Sequence, residues 1–290
     1  MRSQQLLNFD SALSNLNKLL SFVLFEQDVV QDFFKNMILK HDDSCRVGDV
    51  YDSKHSSQFN VELLDFEDEQ CQSLKMLFSN IFVMMYTHFD TYIKDLISFA
   101  KECNPSLGSD DTLGTGVAGR GFLKKFEDWI NLPTCSFVVQ QEFWTLSYFR
   151  ARRNAIVHRY AESDAKGEYS KFRKDKGGLL NNFWKNHELI KVKIDFRNNN
   201  SPYIFSAQDM VDSFVLLRRI AEKIDKDVLL AVGNTNLISH SYRKYLRMIS
   251  KKQHAPWSDL KGREKFKRYL MIELDMDEDV DQIDGIIKGM

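Results

Sequence analysis

Apolar side chains recur at steps of three and four residues along most of the chain, which is the spacing of amphipathic α-helices. The pattern predicts one helix from about residue 6 to 39 and a second from about residue 65 to 103. The second has an apolar stripe wide enough to pack against more than one neighbour. The same spacing predicts further helices at about residues 122–130, 137–161, 207–232, 241–252 and 261–274.

Polar and glycine-containing segments separate these helices. Residues 41–60 are polar and predict a loop, and residues 162–178 are charged and predict a second irregular stretch. The glycine-rich run from Leu107 to Gly121 lacks the Lys-Ser or Lys-Thr ending of a phosphate-binding loop, so it predicts a linker. The segment from Ser206 to Asp209 resembles a capping box that opens the following helix.

One segment alternates apolar and polar residues at period two, which is the spacing of a β-strand. It runs from Ile190 to Phe196, and Tyr203–Phe205 repeats the apolar character after the turn-forming residues 198–202. A small β-hairpin at about residues 190–205 is therefore predicted.

The fold expected from these elements is all-α. Residues 1–233 would form a helical bundle that carries the hairpin, and residues 234–290 a C-terminal helical extension. The extension contains a strongly basic helix that could touch RNA phosphates, although a solvated face is the commoner reason for such a run. The acidic residues 275–284 indicate an interaction tail.

Composition narrows the classes of function. Of the 290 residues, 43% are hydrophobic and 28% are charged, which is the balance of an ordinary globular protein. The formal net charge of −1 gives no global attraction for nucleic acid, so RNA binding would need a local basic patch. The four cysteines lie far apart without metal-ligand spacing, which predicts free thiols, no metal and no cofactor. No stretch is apolar enough to predict a signal peptide or a membrane span, so a cytoplasmic protein is expected.

The segment from Arg153 to Tyr160 holds side chains that suit chemistry on RNA. A regular helix puts Asn154 and His158 one turn apart on one face, and Arg153 and Tyr160, seven residues apart, also share a face. Arg153 and His158 differ by ~140° around a helix, so the long arginine must reach round it or a second subunit must supply a copy. Further arginines add positive charge and predict RNA contacts: Arg150, Arg152 and Arg159.

These residue types fit metal-independent RNA cleavage. Histidine titrates near neutral pH, so His158 could take the proton from a ribose 2′-hydroxyl or give one to the leaving 5′-oxygen. Arg153 could hold the scissile phosphate, and Asn154 could orient the imidazole or the phosphate. The opposing interpretation is structural, because arginine and histidine near a helix C-terminus also interact favourably with the helix dipole.

The same residues resemble a known family. Arg153-Asn154-Ala155-Ile156-Val157-His158 resembles the R-x4-6-H motif of HEPN ribonucleases, and its continuation to Tyr160 is similar to the R-x4-H-x-Y form of HepT-like toxins. Arg152 also fits the looser spacing. The segment from Tyr86 to Leu96 is similar to the aromatic-acid-aromatic helix of HEPN proteins, in which the acidic position, here Asp90, often helps to order the active site.

The resemblance implies a metal-independent endoribonuclease that works as a homodimer, with the two motifs facing each other across the interface. Many such proteins are toxins or antiphage-defence effectors, so an antitoxin or defence-system partner protein is implied. In HepT-like toxins, the tyrosine that matches Tyr160 is where a partner nucleotidyltransferase attaches AMP. Two alternatives stay open, a non-catalytic HEPN-type helical module that binds protein or RNA and a plain helical scaffold with an accidental motif. The presence of both Arg153 and His158 favours the enzyme.

Overall fold

The structure, a computed structural model, describes residues 1–41, 44–56, 58–107, 137–158, 167–197, 201–249 and 260–289. These residues are mostly helical, which confirms the predicted all-α class. In chain order, the elements are α1 (Gln4–Ile38), α2 (Val47–Val50), a 3₁₀ turn (Leu63–Asp65), α3 (Phe66–Cys103), α4 (Gln140–Val157), α5 (Glu168–Lys185), α6 (Ala207–Val232), α7 (Asn234–Ile249), α8 (Leu260–Leu274) and α9 (Val280–Lys288).

The long helices confirm the predictions from apolar spacing, because α1, α3, α6 and α8 begin and end within a few residues of the expected limits. The predicted capping box of α6 is also present. The Asp209 amide donates to Ser206 Oγ at 3.0 Å, and the Ser206 amide donates to Asp209 Oδ2 at 2.9 Å. Gly233 follows α6 with a φ of 81°, a left-handed conformation that glycine adopts without strain. The predicted linker beyond Leu107 and the predicted helix at 122–130 lie outside the described residues.

The prediction of an irregular stretch at residues 162–178 was wrong over much of its length. Residues 168–185, expected to be partly an irregular stretch, form α5. The acidic segment 275–284, predicted to be an interaction tail, continues into α9, and two of its aspartates pair with basic residues of α8. Lys267 Nζ lies 3.0 Å from Asp277 Oδ1, and Arg263 Nη2 lies 3.6 Å from Asp284 Oδ1. The acidic residues therefore balance charge within the extension.

The predicted β-hairpin is absent from the residues described between 190 and 205, which contain no strand. Backbone amides that would pair across a hairpin donate to side chains of neighbouring helices instead. Asp212 of α6 accepts the amides of Lys193 and Ile194 at 2.6 and 3.1 Å, and Asn181 of α5 accepts the amide of Phe196 at 2.8 Å. The period-two pattern coincides with burial, because Ile194 and Phe196 are buried while Lys193 and Asp195 are exposed.

The described chain divides into two compact units, and the divisions fall within α1, α3, α4 and α6. Unit 1 contains residues 1–12, 87–149 and 215–290, and unit 2 contains residues 13–86 and 150–214. The C-terminal helices α7, α8 and α9 thus belong to the same unit as the first residues of the chain.

Buried carboxylates of α6 fix the ends of other segments in unit 1. Asp225 accepts the backbone amide of Ser3 at 2.9 Å and also bonds the Ser3 hydroxyl, so it anchors the start of α1. Burial raises the pKa of Asp225 to about 6, because removal from water disfavours the charged form. Asp227 accepts the amides of Phe137 and Val138 at 2.8 and 3.2 Å, just before α4 begins.

Unit 2 has an aromatic core around the second half of α1. The rings of Phe34 and Phe66 are stacked with centroids 3.7 Å apart, and Val47 and Leu63 are buried beside them. Trp184 of α5 is also buried in this unit.

The described residues contain no helix that is both long enough and apolar enough to cross a bilayer.

Candidate active site

The orientation of the last turns of α4 is fixed by Arg152. Its side chain is fully buried, although it carries a permanent charge. Nε donates to the carbonyl of Pro202 at 3.0 Å, and Nη2 donates to the carbonyl of Ile204. The guanidinium also lies 3.5 Å from the ring centroid of Phe205, a distance suited to a cation–π contact.

The predicted RNA-binding role of Arg152 is corrected by this burial. A guanidinium enclosed by two carbonyls and an aromatic ring cannot reach a phosphate without leaving the core. Arg152 instead attaches the segment 202–205 to α4. Of the two arginines that fit the HEPN spacing, Arg153 is therefore the one available for chemistry.

Arg153 and Asn154 are both partly exposed and bound to each other. Arg153 Nη1 donates to Asn154 Oδ1 at 3.0 Å. The Nε of Arg153 is buried and has no hydrogen-bond partner among the described residues. The amide oxygen of Asn154 thus restrains one branch of the guanidinium.

His158 follows directly after the last residue of α4, and its side chain is exposed. Its backbone amide donates to the carbonyl of Asn154 at 3.0 Å, which continues the helical ladder by one residue. The predicted one-turn relation between Asn154 and His158 is therefore present. The helix end is also braced by Tyr203, whose hydroxyl donates to the carbonyl of Ala155 at 3.5 Å.

Two further predicted site residues lie on described helices. Arg150 is partly exposed on α4. Asp90 is partly buried on the portion of α3 that belongs to unit 1, whereas Arg153 and His158 belong to unit 2. The predictions for Arg159 and Tyr160 fall outside the described residues.

The arrangement offers a solvent-facing imidazole and a restrained guanidinium within five residues. The imidazole can exchange protons with a bound ribose, and the guanidinium can donate to phosphate oxygens. Within the described parts of the chain, no three His, Cys, Asp or Glu side chains lie together in a way that could hold a metal ion.

Sequence reasoning missed the anchoring role of Arg152, although a signal was present. Position 152 lies three residues after Phe149 and four before Ile156, so it belongs to the apolar stripe of α4. Phe149 and Ile156 are both buried. An arginine within an apolar stripe indicates a buried guanidinium that must find acceptors.

No family model, curated protein or solved structure matches the chain. The resemblance to HEPN ribonucleases thus depends on the Arg153–Tyr160 motif and the helix around Asp90.

Proposed function

We propose that this protein is a metal-independent endoribonuclease of the HEPN type, with His158 and Arg153 as its catalytic residues. The observation that carries the proposal is the end of α4, where His158 is exposed and Arg153 is held by Asn154 at 3.0 Å. The burial of Arg152 supports the same choice, because it fixes the rotation of the helix and leaves Arg153 at its surface.

The proposed reaction transfers the phosphodiester within the substrate. His158 removes the proton from a ribose 2′-hydroxyl, and the 2′-oxygen attacks the adjacent phosphorus. The bond to the 5′-oxygen breaks, and that oxygen takes a proton from an imidazolium. The products are a 2′,3′-cyclic phosphate and a 5′-hydroxyl. Arg153 stabilises the negative charge that develops on the phosphate oxygens.

A homodimer completes this site in the proposal. One imidazole at a helix end cannot act at once as the base on one side of the phosphorus and the acid on the other. A two-fold axis that brings the His158 of both copies to one groove supplies both groups. Light scattering combined with size-exclusion chromatography would measure the expected doubled mass.

The biological setting that we propose is a toxin or an antiphage-defence effector in the cytoplasm. An RNase that acts inside a cell requires control, so an antitoxin or a defence-system protein is the expected partner. The substrate is RNA of the cell or of an invader. Asn154 is assigned a supporting role toward the imidazole or the phosphate, and Asp90 and Tyr160 are assigned supporting roles from the resemblance alone.

Incubation of the purified protein with total RNA in EDTA tests the proposal. Cleavage by the wild type but not by His158→Ala would support the enzyme. RNA that is bound but uncut would favour the non-catalytic helical module. Neither cleavage nor binding would leave a helical scaffold in which the motif is accidental.

A further inference from the structure

Helix α5 carries a line of exposed lysines along one face. Lys171, Lys174 and Lys185 are all exposed and lie within about 60° of one another around the helix axis. The line runs for about 21 Å, at 1.5 Å per residue over 14 residues. Gly178 lies on the same face between Lys174 and Lys185.

Gly178 is the place where a fourth cation joins this line. The guanidinium of Arg197 lies directly across Gly178, so close that a Cβ there would overlap it. A helix interior normally loses stability at glycine, by roughly 0.5–1 kcal/mol relative to alanine. The glycine here makes room for an arginine that comes from a different segment.

The backbone that presents Arg197 is fixed to α5. Phe196 is fully buried, and its amide donates to Asn181 Oδ1 at 2.8 Å. Asn181 Nδ2 in turn donates to Asp195 Oδ1 at 2.6 Å, and the same oxygen accepts the Arg197 amide at 2.9 Å. The neighbouring Gly177 lets the carbonyl of Phe196 approach the helix backbone. The backbone of Arg197 is therefore held in place before any ligand arrives.

These four cations, which we call the α5 stripe, are Lys171, Lys174, Lys185 and Arg197. None of them forms an ion pair with another of the described residues. In the C-terminal extension, by contrast, Lys244, Lys267 and Arg263 are paired with acids. Two acids of α5 lie near Lys171 around the helix, Asp175 at about 40° and Glu168 at about 60°, and neither forms an ion pair with it.

We propose that the α5 stripe binds the phosphate backbone of the RNA that the protein acts on. The inference rests on the proposed function for the identity of the polyanion. The α5 stripe belongs to the same compact unit as Arg153 and His158, and α5 begins ten residues after His158. A line of point charges without base-reading groups holds a strand in a sequence-independent way.

Salt dependence of RNA binding tests the inference. The parent is His158→Ala, which keeps a labelled single-stranded RNA intact during fluorescence anisotropy. The test variant adds Lys171→Gln, Lys174→Gln, Lys185→Gln and Arg197→Gln. Each lost phosphate contact should lower the slope of log K against log salt by about 0.7, so four contacts lower it by about 2.8 and weaken binding about 600-fold at 0.1 M salt.

A matched control removes the same number of charges from exposed lysines elsewhere in unit 2. It carries Lys35→Gln, Lys40→Gln, Lys54→Gln and Lys75→Gln, and should keep the slope of the parent. Equal losses in the two quadruple variants would overturn the stripe. RNA cleavage should be measured in parallel with the stripe substitutions in a protein that keeps His158. Cleavage by this variant would then show that the proposed function holds without the α5 stripe.

Gly178→Ala gives a test that leaves every charge in place. The added methyl group should displace the Arg197 guanidinium while its charge is kept, so binding should weaken, but by less than the about five-fold loss expected for Arg197→Gln. The unfolding temperature checks that the helix remains intact. Wild-type affinity in Gly178→Ala, or displacement of the RNA by an equal charge of polyglutamate, would contradict the proposed site.

Discussion

The substitution Arg152→Met tests whether Arg152 has a structural role that is distinct from the catalytic role proposed for Arg153. Methionine keeps an unbranched apolar stem but removes the guanidinium. The carbonyls of Pro202 and Ile204 would lose their donors, and Phe205 would lose its cation. The variant should therefore be less stable while the chemistry at Arg153 is untouched.

The magnitude follows from the two hydrogen bonds. A hydrogen bond to a charged group contributes roughly 1.5–3 kcal/mol, and the desolvation of the buried charge offsets part of the total. We therefore take the lower value for each bond, and expect the free energy of unfolding to fall by about 3 kcal/mol. In a chain of this size, that corresponds to a decrease of roughly 6–12 °C in Tm.

Urea unfolding followed by circular dichroism at 222 nm measures the change. Arg150→Met is the matched control, since it makes the same substitution on the same helix at a partly exposed position, and it should change stability by less than about 0.5 kcal/mol. An unfolding midpoint of Arg152→Met equal to that of the wild type would refute the anchor. So would a fully stable Arg152→Met protein that no longer cuts RNA, because Arg152 would then be the catalytic arginine.

Two further predictions concern pH and Tyr160. The folded pKa of Asp225 is about 6 against 3.8 for a free carboxyl, so its contribution to stability is greatest below pH 4 and is lost as pH rises toward 6. The stability of Asp225→Asn relative to the wild type should thus increase by about 2 kcal/mol between pH 4 and 7, and a constant difference across urea titrations would count against a raised pKa. At Tyr160, the groove proposed around His158 predicts that Tyr160→Phe keeps most RNase activity and Tyr160→Glu loses it through repulsion of phosphate. Equal, near-wild-type rates in these two variants would place Tyr160 away from the RNA.

The fold was predictable wherever local pattern and tertiary packing agree. The helices α1 and α3 follow from apolar spacing, and the start of α6 follows from the capping box at Ser206. Both signals involve residues that are only a few positions apart in the sequence. The failures occur where distant groups override local preference. Helix α5 was missed because Gly177 and Gly178 suggest a loop, yet the segment 195–197 packs against that pair and requires the small residues.

The sequence motif of the candidate site could be predicted, but the distant contacts that hold its side chains could not. Spacing placed Asn154 and His158 on one face, and the backbone bond between them agrees. The spacing of the motif alone could not distinguish Arg152 from Arg153. The apolar stripe of α4 marks position 152 as buried, but the carbonyls of Pro202 and Ile204 that hold the guanidinium lie some 50 residues away in sequence. The position of Arg197 over α5 was hidden for the same reason.

The most direct test of the proposed enzyme is RNA cleavage in the presence of EDTA. Wild-type protein should produce fragments with 5′-hydroxyl and 2′,3′-cyclic phosphate ends, which polynucleotide kinase labelling and mass spectrometry identify. His158→Ala and Arg153→Ala, with circular dichroism spectra and mass unchanged, should cut at least about 100-fold more slowly, the usual minimum for loss of a general acid–base group. Intact RNA after incubation with the wild type, or cleavage by His158→Ala at the wild-type rate, would contradict the assignment of the active site to the end of α4.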